Sequence, residues 1–292
     1  MFKYFRVDGW SLNNLRNSTF YLNHHSAFND PFECRCEVRK GFPQLGDTSG
    51  RFADVLRAWG FEKIDDKDAL EYYEDYVFSL DGGEPDIEHY IDCARITCFS
   101  RRPDNLLMWA HYADGLRGFC VGFDRREIAD SLGNAKIYDV SYVETPSVVD
   151  ASVMAVLHDQ WYFNNEAFVE VDALSKRFDE DRKWELSLYE AGIEDAYSQL
   201  QELYQKMLAT KPLAWSYEEE LRLIECCSRD NCAGVILPYP TSAVVSVILG
   251  EKITQEHENA IVGIVSQHFP TAKIKKAIRV NGSFDVHIVD YV

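Results

Sequence analysis

The sequence predicts an α+β protein with a mixed or antiparallel sheet at its core and a helical insertion over residues 150–210. The main observation is that strand-like segments are scattered along the whole chain, whereas helical segments are gathered in blocks. A second observation is that residues 1–292 contain no internal repeat, no low-complexity tract and no long linker. We therefore expect a single domain over the whole chain.

The N-terminal region predicts short elements joined by a turn. S-L-N-N-L-R (11–16) is typical of a short helix, and T-F-Y-L (19–22) is typical of a strand. In the segment F-N-D-P-F-E that follows, Pro31 favours an extended conformation of Asp30. Asn29 or Asp30 is expected to shape a turn by bonding the backbone nearby.

The middle of the chain has the clearest periodicity. Residues 51–80 predict helices with acidic outer faces. A-R-I-T-C-F-S (94–100) predicts a strand, N-L-L-M-W-A-H-Y-A (105–113) a helix, and G-F-C-V-G-F (118–123) another strand. Residues 150–209 are helical in pattern and contain no proline, so they predict the insertion of two or three helices.

The C-terminal part returns to strands. L-R-L-I-E-C-C (221–227) and A-V-V-S-V-I-L-G (243–250) predict two of them, and residues 254–268 predict a helix. K-I-K-K-A-I-R-V (273–280) and F-D-V-H-I-V-D-Y-V (284–292) predict a closing pair of strands.

The composition excludes several classes of protein. There is no apolar segment long enough to span a membrane and no signal-peptide core at the start, so we expect a cytoplasmic protein. The net charge of −18, from 48 acidic and 30 basic residues, argues against sequence-independent binding to a polyanion but leaves room for a local basic groove. Most of the eight cysteines lie in apolar segments, where a reduced cysteine is a small core residue, and we predict no metal site.

The segment W-S-Y-E-E-E-L-R (215–222) has two interpretations. As a helix start it has Ser216 as N-cap and Glu219 as the capping-box partner. As a strand it places charged residues on one face and leucines on the other, except that Glu219 falls on the leucine face. The two faces of that strand are Glu218, Glu220 and Arg222 on one side, and Leu221 and Leu223 on the other.

Common catalytic motifs are missing. The sequence has no G-x-x-x-x-G-K-[ST], no G-x-G-x-x-G after a strand, no G-x-S-x-G and no H-E-x-x-H. The P-loop, Rossmann, serine-hydrolase and zincin interpretations are therefore excluded.

Three motifs resemble a widespread prokaryotic family of unknown function. They are F-N-D-P-F-E (28–33), C-F-S with M-W-A-H-Y-A-D-G-L-R-G-F-C-V-G-F (98–123), and K-P-L-A-W-S-Y-E-E-E-L-R-L (211–223). The chain also has a distant similarity to ADP-ribosyltransferases of the arginine–serine–glutamate class. That similarity implies a split sheet and NAD as a consumed substrate.

The same similarity implies roles for individual residues. Arg6, on the first strand, would bind the diphosphate, and Ser100, at the end of C-F-S, would lie beside the nicotinamide ribose. Glu220 would hold the ribose hydroxyl and stabilise the oxocarbenium-like transition state, and Glu218 would orient or deprotonate the acceptor. His111 is a further catalytic candidate. The other candidates for contact with NAD are Tyr4, Phe99, Trp109, Tyr112, Asn29 and Asp30.

The sequence thus predicts an ADP-ribosyltransferase-like enzyme, a toxin or antiphage effector that modifies a protein or nucleic acid. An antitoxin or a basic protein is an expected partner, and a membrane is not. One alternative is a metal-dependent hydrolase or nuclease that uses Asp30, Glu33, His111 and Asp114. Another is a non-catalytic module whose acidic helices bind a basic partner.

Overall fold

A computed structural model describes residues 1–291 except 62, 64–66, 81–82, 84, 132 and 228–232. The chain divides into two compact units. The first comprises Met1–Cys34, Asp92–Thr145 and Ala209–Val292, and the second comprises Arg35–Ile91 and Pro146–Leu208. Within the described residues, no helix is both long and apolar enough to cross a membrane.

Seven of the nine α-helices in the described residues lie in segments predicted to be helical, and those at 87–93 and 125–131 were not predicted. The α-helices are α1 (Gly9–Asn17), α2 (Arg51–Ala58), α3 (Lys67–Ser79), α4 (Ile87–Cys93), α5 (Leu106–Tyr112), α6 (Arg125–Ser131), α7 (Ala151–Phe178), α8 (Lys183–Leu208) and α9 (Gln255–His268). Short 3-10 helices span His25–Ala27, Leu213–Glu218 and Thr241–Ala243.

The strands are more numerous than the sequence predicts. They are β1 (Phe2–Phe5), β2 (Thr19–His24), β3 (Cys36–Arg39), β4 (Ala94–Ser100), β5 (Phe119–Phe123), β6 (Lys136–Asp139), β7 (Ser141–Val143), β8 (Ser147–Asp150), β9 (Thr210–Pro212), β10 (Glu220–Cys226), β11 (Val235–Pro238), β12 (Val244–Gly250), β13 (Lys273–Arg279) and β14 (Val286–Asp290).

The first unit is built on a mixed sheet of ten strands. Their order is β11-β2-β4-β1-β5-β12-β13-β14, with β10 on the other edge of β4 and β6 beyond it. Strands β12 and β13 are parallel and the other pairs of this sheet are antiparallel. The predicted α+β class with a mixed sheet is therefore confirmed.

The sheet opens at β4. One edge of β4 pairs with β10 along its whole length. Its other edge pairs with β2 only at Arg95 and Ile96, and with β1 only at Ser100. Strands β1 and β2 therefore diverge along residues 97–99, and the sheet forks there.

The two faces of this sheet pack against different helices. On one face, Phe99, Val121 and Leu223 belong to a core cluster that includes Ile261 and Ile264 of α9. On the opposite face, Tyr4 of β1 packs with buried residues of α5 and with strand residues such as Cys120 and Ile248. The alternation of side chains along each strand produces this separation, because successive residues point to opposite faces.

The second unit is mainly helical. Helix α7 packs against α8 and against α2, and β3 pairs in parallel with β8. Asp150 caps α7 by accepting a bond from the Ser152 backbone at 3.1 Å, and it also pairs with Arg51. The helices predicted over residues 150–210 are confirmed as α7 and α8, in the same compact unit as residues 35–91. The single domain predicted for the whole chain stays a prediction.

Gly118, just before β5, is required by close packing of the backbone. A Cβ atom there would lie 2.0 Å from the carbonyl oxygen of Phe5 and 2.9 Å from the backbone of Ala113. We expect Gly118→Ala to lower the free energy of unfolding by about 2 kcal/mol, measured by urea denaturation. The control is Gly263→Ala in α9, where a Cβ meets nothing within 4 Å. This change should raise stability by up to about 1 kcal/mol, and an equal loss in both variants would contradict the packing argument.

Candidate active site

A cavity of about 290 Å³ lies in the first unit where the sheet forks. Residues 96–100 of β4 form part of its wall, and Tyr112 of α5 contributes a phenol. The fork leaves the middle of β4 unpaired on one edge. Residues of this open edge line the cavity together with aromatic rings and charged side chains. The main lining groups of the cavity are Phe2, Lys3, Tyr4, Phe28, Cys98, Phe99, Ser100, Tyr112, Lys211, Glu218 and Glu220.

Strand β10 brings Glu220 to this cavity. Leu221 and Leu223 belong to the apolar core on the α9 side, so Glu220 and Arg222 point to the opposite face. Glu220 lies directly across from Ser100 in the antiparallel register with β4. The strand interpretation of the glutamate run is therefore correct from Glu220 onward.

Glu218 also lines the cavity, but it comes from the 3-10 helix before β10 and not from the strand. It is the last residue of the 3-10 helix Leu213–Glu218, and Glu219 then adopts the left-handed conformation with φ of 43°. This turn exposes the Glu219 side chain and leaves Glu218 and Glu220 both about 3% exposed. The helix-start interpretation with Ser216 as N-cap is wrong, because the helical turn ends here and a strand follows.

Lys211 connects the two buried glutamates. It lies in β9, which pairs with β7, and its side chain is only 4% exposed. Its Nζ donates to Oε2 of Glu218 at 2.5 Å and to Oε2 of Glu220 at 3.1 Å. The Tyr112 hydroxyl donates to Oε1 of Glu218 at 2.5 Å. Both carboxylates are thus fixed in position at the wall of the cavity.

Arg222 extends the network behind Glu220. Its guanidinium is fully buried, and its Nε donates to Oε1 of Glu220 at 2.9 Å. Its Nη2 also lies 2.6 Å from Oε1 of Glu33, whose side chain is 3% exposed. Neither oxygen of Glu33 has a well-aligned hydrogen bond among the described residues, so this contact is an ion pair by distance alone. The turn containing Asp30 supplies Glu33, and Oδ1 of Asp30 accepts from the Phe32 backbone at 2.9 Å, as predicted.

The two glutamates at the cavity have opposite pKa shifts. Burial alone would raise the pKa of Glu220, but Arg222 and Lys211 outweigh it and lower the pKa to about 2. Burial raises the pKa of Glu218 despite the opposing effects of Lys211 and Tyr112. Glu220 is therefore ionised throughout the physiological range, whereas Glu218 is the better proton acceptor of the two.

The ionisable side chains around the two glutamates also have shifted pKa values. Burial would lower the pKa of Lys211, but Glu220 and Glu218 outweigh it and raise the pKa, so this ammonium stays charged. Burial raises the pKa of Glu33 and, far more strongly, that of the Cys98 thiol. Burial lowers the pKa of Lys3, whose Nζ donates to the Cys98 carbonyl oxygen at 2.9 Å.

Several predicted residues do lie at this cavity. Ser100 is fully buried, and its Oγ accepts from the Arg102 backbone at 3.3 Å. Tyr4 donates its hydroxyl to the Arg102 carbonyl oxygen at 2.7 Å. Asn29 lies 3.5 Å from the Tyr112 hydroxyl through Nδ2. Phe99, Tyr4, Asn29 and Ser100 all line the cavity.

Other predicted residues lie elsewhere. Arg6 follows β1 instead of belonging to it, is exposed, and lines a second cavity of about 450 Å³ together with His111 and Asp114. Trp109 is fully buried, donates its indole N–H to the Pro103 carbonyl oxygen at 2.7 Å, and lines neither cavity. Asp30 is 3% exposed and lines neither cavity.

The four residues of the metal-dependent hydrolase alternative lie in two different places. His111 and Asp114 face the second cavity, whereas Asp30 and Glu33 lie in the turn beside Arg222. The four residues therefore do not form one metal site in the described part of the chain.

Sequence reasoning missed two members of the site, namely Lys3 and Lys211, and named Glu33 only in the hydrolase alternative. Lys3, on β1, lines the cavity, whereas Arg6 does not. Lys211 lies within the K-P-L-A-W-S-Y-E-E-E-L-R-L motif, and its position seven residues before Glu218 was the available signal. Glu33 belongs to the F-N-D-P-F-E motif, and its ion pair with Arg222 was not predicted.

Comparison with known families gives one match. Residues 108–223 match the model of DUF2971, described as a protein of unknown function. This segment contains Tyr112, Lys211, Glu218, Glu220 and Arg222. Searches of curated proteins and of solved structures found no match.

Proposed function

We propose that the cavity at the fork cleaves the nicotinamide–ribose bond of NAD and transfers ADP-ribose to an acceptor. The main support is the pair Glu218 and Glu220, two buried glutamates held at one cation with opposite pKa shifts. Breaking an N-glycosidic bond develops positive charge on the ribose. A carboxylate that stays ionised stabilises that charge, and a second carboxylate accepts a proton from the nucleophile.

In this mechanism the bond between C1′ of ribose and the nicotinamide nitrogen breaks, and nicotinamide leaves with the electron pair. Glu220 stabilises the oxocarbenium-like ribose. The nucleophile, water or a macromolecular acceptor, forms the new bond to C1′ and gives its proton to Glu218. Lys211 and Tyr112 keep Glu218 in place until this transfer.

The other groups of the cavity suit the two ends of the substrate. A volume of about 290 Å³ is at the small end of ligand pockets and suits the nicotinamide riboside half. Phe2, Tyr4 and Phe28 provide rings for nicotinamide. Lys3, which also lines the cavity, provides a cation for a phosphate, in the role first assigned to Arg6. The role of a toxin or antiphage effector, and the nature of the acceptor, stay predictions.

The test is release of nicotinamide from NAD by the purified protein, with cell lysate as a source of acceptors. We expect Glu220→Gln to lower turnover on the order of 10²-fold. The matched control is Glu219→Gln, because Glu219 is the neighbouring glutamate and its side chain is 38% exposed. Ser100→Ala serves as a second variant that removes only one hydroxyl from the cavity wall.

Circular dichroism and thermal melting must show that each variant is folded before its turnover is compared. Normal turnover in folded Glu220→Gln would remove Glu220 from the mechanism. No turnover by the unmodified protein, together with no NAD binding by calorimetry, would overturn the proposal.

A further inference from the structure

A cluster of His24, His25 and Asp92 lies in the first unit, apart from the two glutamates at the fork. His24 ends β2, His25 begins a 3-10 helix, and Asp92 is in the last turn of α4. Because β4 starts directly after α4 and pairs with β2 at His24, the end of this helix lies beside both histidines. The ligand-type atoms of the three residues lie within 4.8 Å of one another.

The distances in this cluster match the edges of a metal coordination shell. Nε2 of His25 is 3.2 Å from Oδ1 of Asp92, and Nε2 of His24 is 3.7 Å from the same oxygen. Ligands at about 2.0–2.1 Å from a tetrahedral zinc ion are separated from one another by about 3.3 Å. The third pair of ligand-type atoms, on the two histidines, also lies within 4.8 Å.

Ser26 can fix the orientation of the more buried histidine. Nδ1 of His24 lies 2.8 Å from Oγ of Ser26, and the His24 side chain is only 5% exposed. Nδ1 also accepts from the Ser26 backbone N–H at 3.2 Å, so without a metal the ring proton lies on Nε2. A metal bound at Nε2 would place that proton on Nδ1, where the Ser26 hydroxyl can accept it. Metal-binding histidines commonly have such a partner for the second ring nitrogen.

The backbone around Asp92 is also held in place. Arg95, opposite His24 in the sheet, donates to the carbonyl oxygens of Asp92 and Ala233 at 2.7 Å each, and to that of Ala94 at 3.0 Å. Its donor groups are thus used to fix the junction of α4 and β4. The Asp92 carboxylate is 67% exposed, so the cluster is open to ions from solution.

We propose that His24, His25 and Asp92 form a binding site for a divalent transition-metal ion such as Zn²⁺, with at least one coordination position open to water. Two imidazoles and one carboxylate are the ligand set of several zinc and iron sites. The sequence alone predicts no metal site, because the two histidines are far from Asp92 along the chain. The proposal does not depend on the proposed function.

The test is calorimetric titration of the full-length, chelator-treated protein with Zn²⁺. We expect one equivalent to bind, and we expect His25→Gln and Asp92→Asn to weaken binding by at least about tenfold. Ser26→Ala should weaken it about tenfold as well, because it removes the hydroxyl that would accept from Nδ1 of His24 when a metal occupies Nε2. These side chains are not core residues, so the variants are expected to fold.

The matched control is His287→Gln, an exposed histidine of β14 outside the cluster, which should bind zinc as the unmodified protein does. Binding of Co²⁺ gives a second readout. The complex should lack thiolate charge-transfer absorption and be unchanged by Cys226→Ser or Cys227→Ser. Binding of less than one equivalent, equal binding by His25→Gln, or loss of binding in a cysteine variant would overturn the proposal.

Discussion

Lys211→Met is expected to lower the free energy of unfolding by about 3–5 kcal/mol at pH 7, measured by urea denaturation. Lys211 is 4% exposed and is bonded to two glutamates that are equally buried. Methionine keeps a similar length of apolar chain but removes the charge. Glu218 and Glu220, each about 3% exposed, would then repel each other without the ammonium between them, and this repulsion is the main cost.

The control for this change is Lys183→Met. Lys183 is 89% exposed and lies 3.8 Å from Asp181, so loss of its ion pair should cost less than about 1 kcal/mol. The Lys211 variant should also regain stability as the pH falls. Without the cation the pKa of a buried glutamate rises in the folded state, and protonation below that pKa removes the repulsion. Equal losses in both variants, with no recovery in acid, would contradict the role assigned to Lys211.

The sheet could be predicted from the sequence where its strands are long and regularly patterned. Strands β4, β10 and β12 have seven residues each, and all three were predicted with nearly correct limits. The strands that were missed have three or four residues, which is too short for alternation to be visible. They are β3, β6, β7, β8, β9 and β11.

The candidate site was only partly predictable, because its contacts depend on tertiary structure. The period-two pattern correctly joined Glu220 to Arg222. It could not reveal that the left-handed turn at Glu219 brings Glu218 to the same cation. The contact between Arg222 and Glu33 connects distant parts of the chain, and no local pattern reports it.

Glu220→Gln and Glu33→Gln are expected to change stability in clearly different ways, although both remove a charge from a carboxylate beside Arg222. A pKa of Glu220 lowered from 4.5 to about 2 corresponds to about 3 kcal/mol of stabilisation at neutral pH. Glu220→Gln should therefore cost about 3 kcal/mol at pH 7. Burial raises the pKa of Glu33, so Glu33→Gln should leave stability at pH 7 unchanged or higher.

The dependence on pH distinguishes the two cases further. The stabilisation from Glu220 is present above its unfolded pKa of 4.5 and is lost as the pH falls toward 2, so Glu220→Gln should approach the unmodified protein in that window. For Glu33 the sign is opposite, because its favourable contribution is present below 4.5 and is lost as the pH rises through its raised folded pKa. Urea denaturation from pH 2.5 to 8 measures both differences. If Glu33→Gln cost as much as Glu220→Gln at pH 7, Glu33 would be a permanently ionised partner of Arg222, and the unaligned 2.6 Å contact would be a strong ion pair.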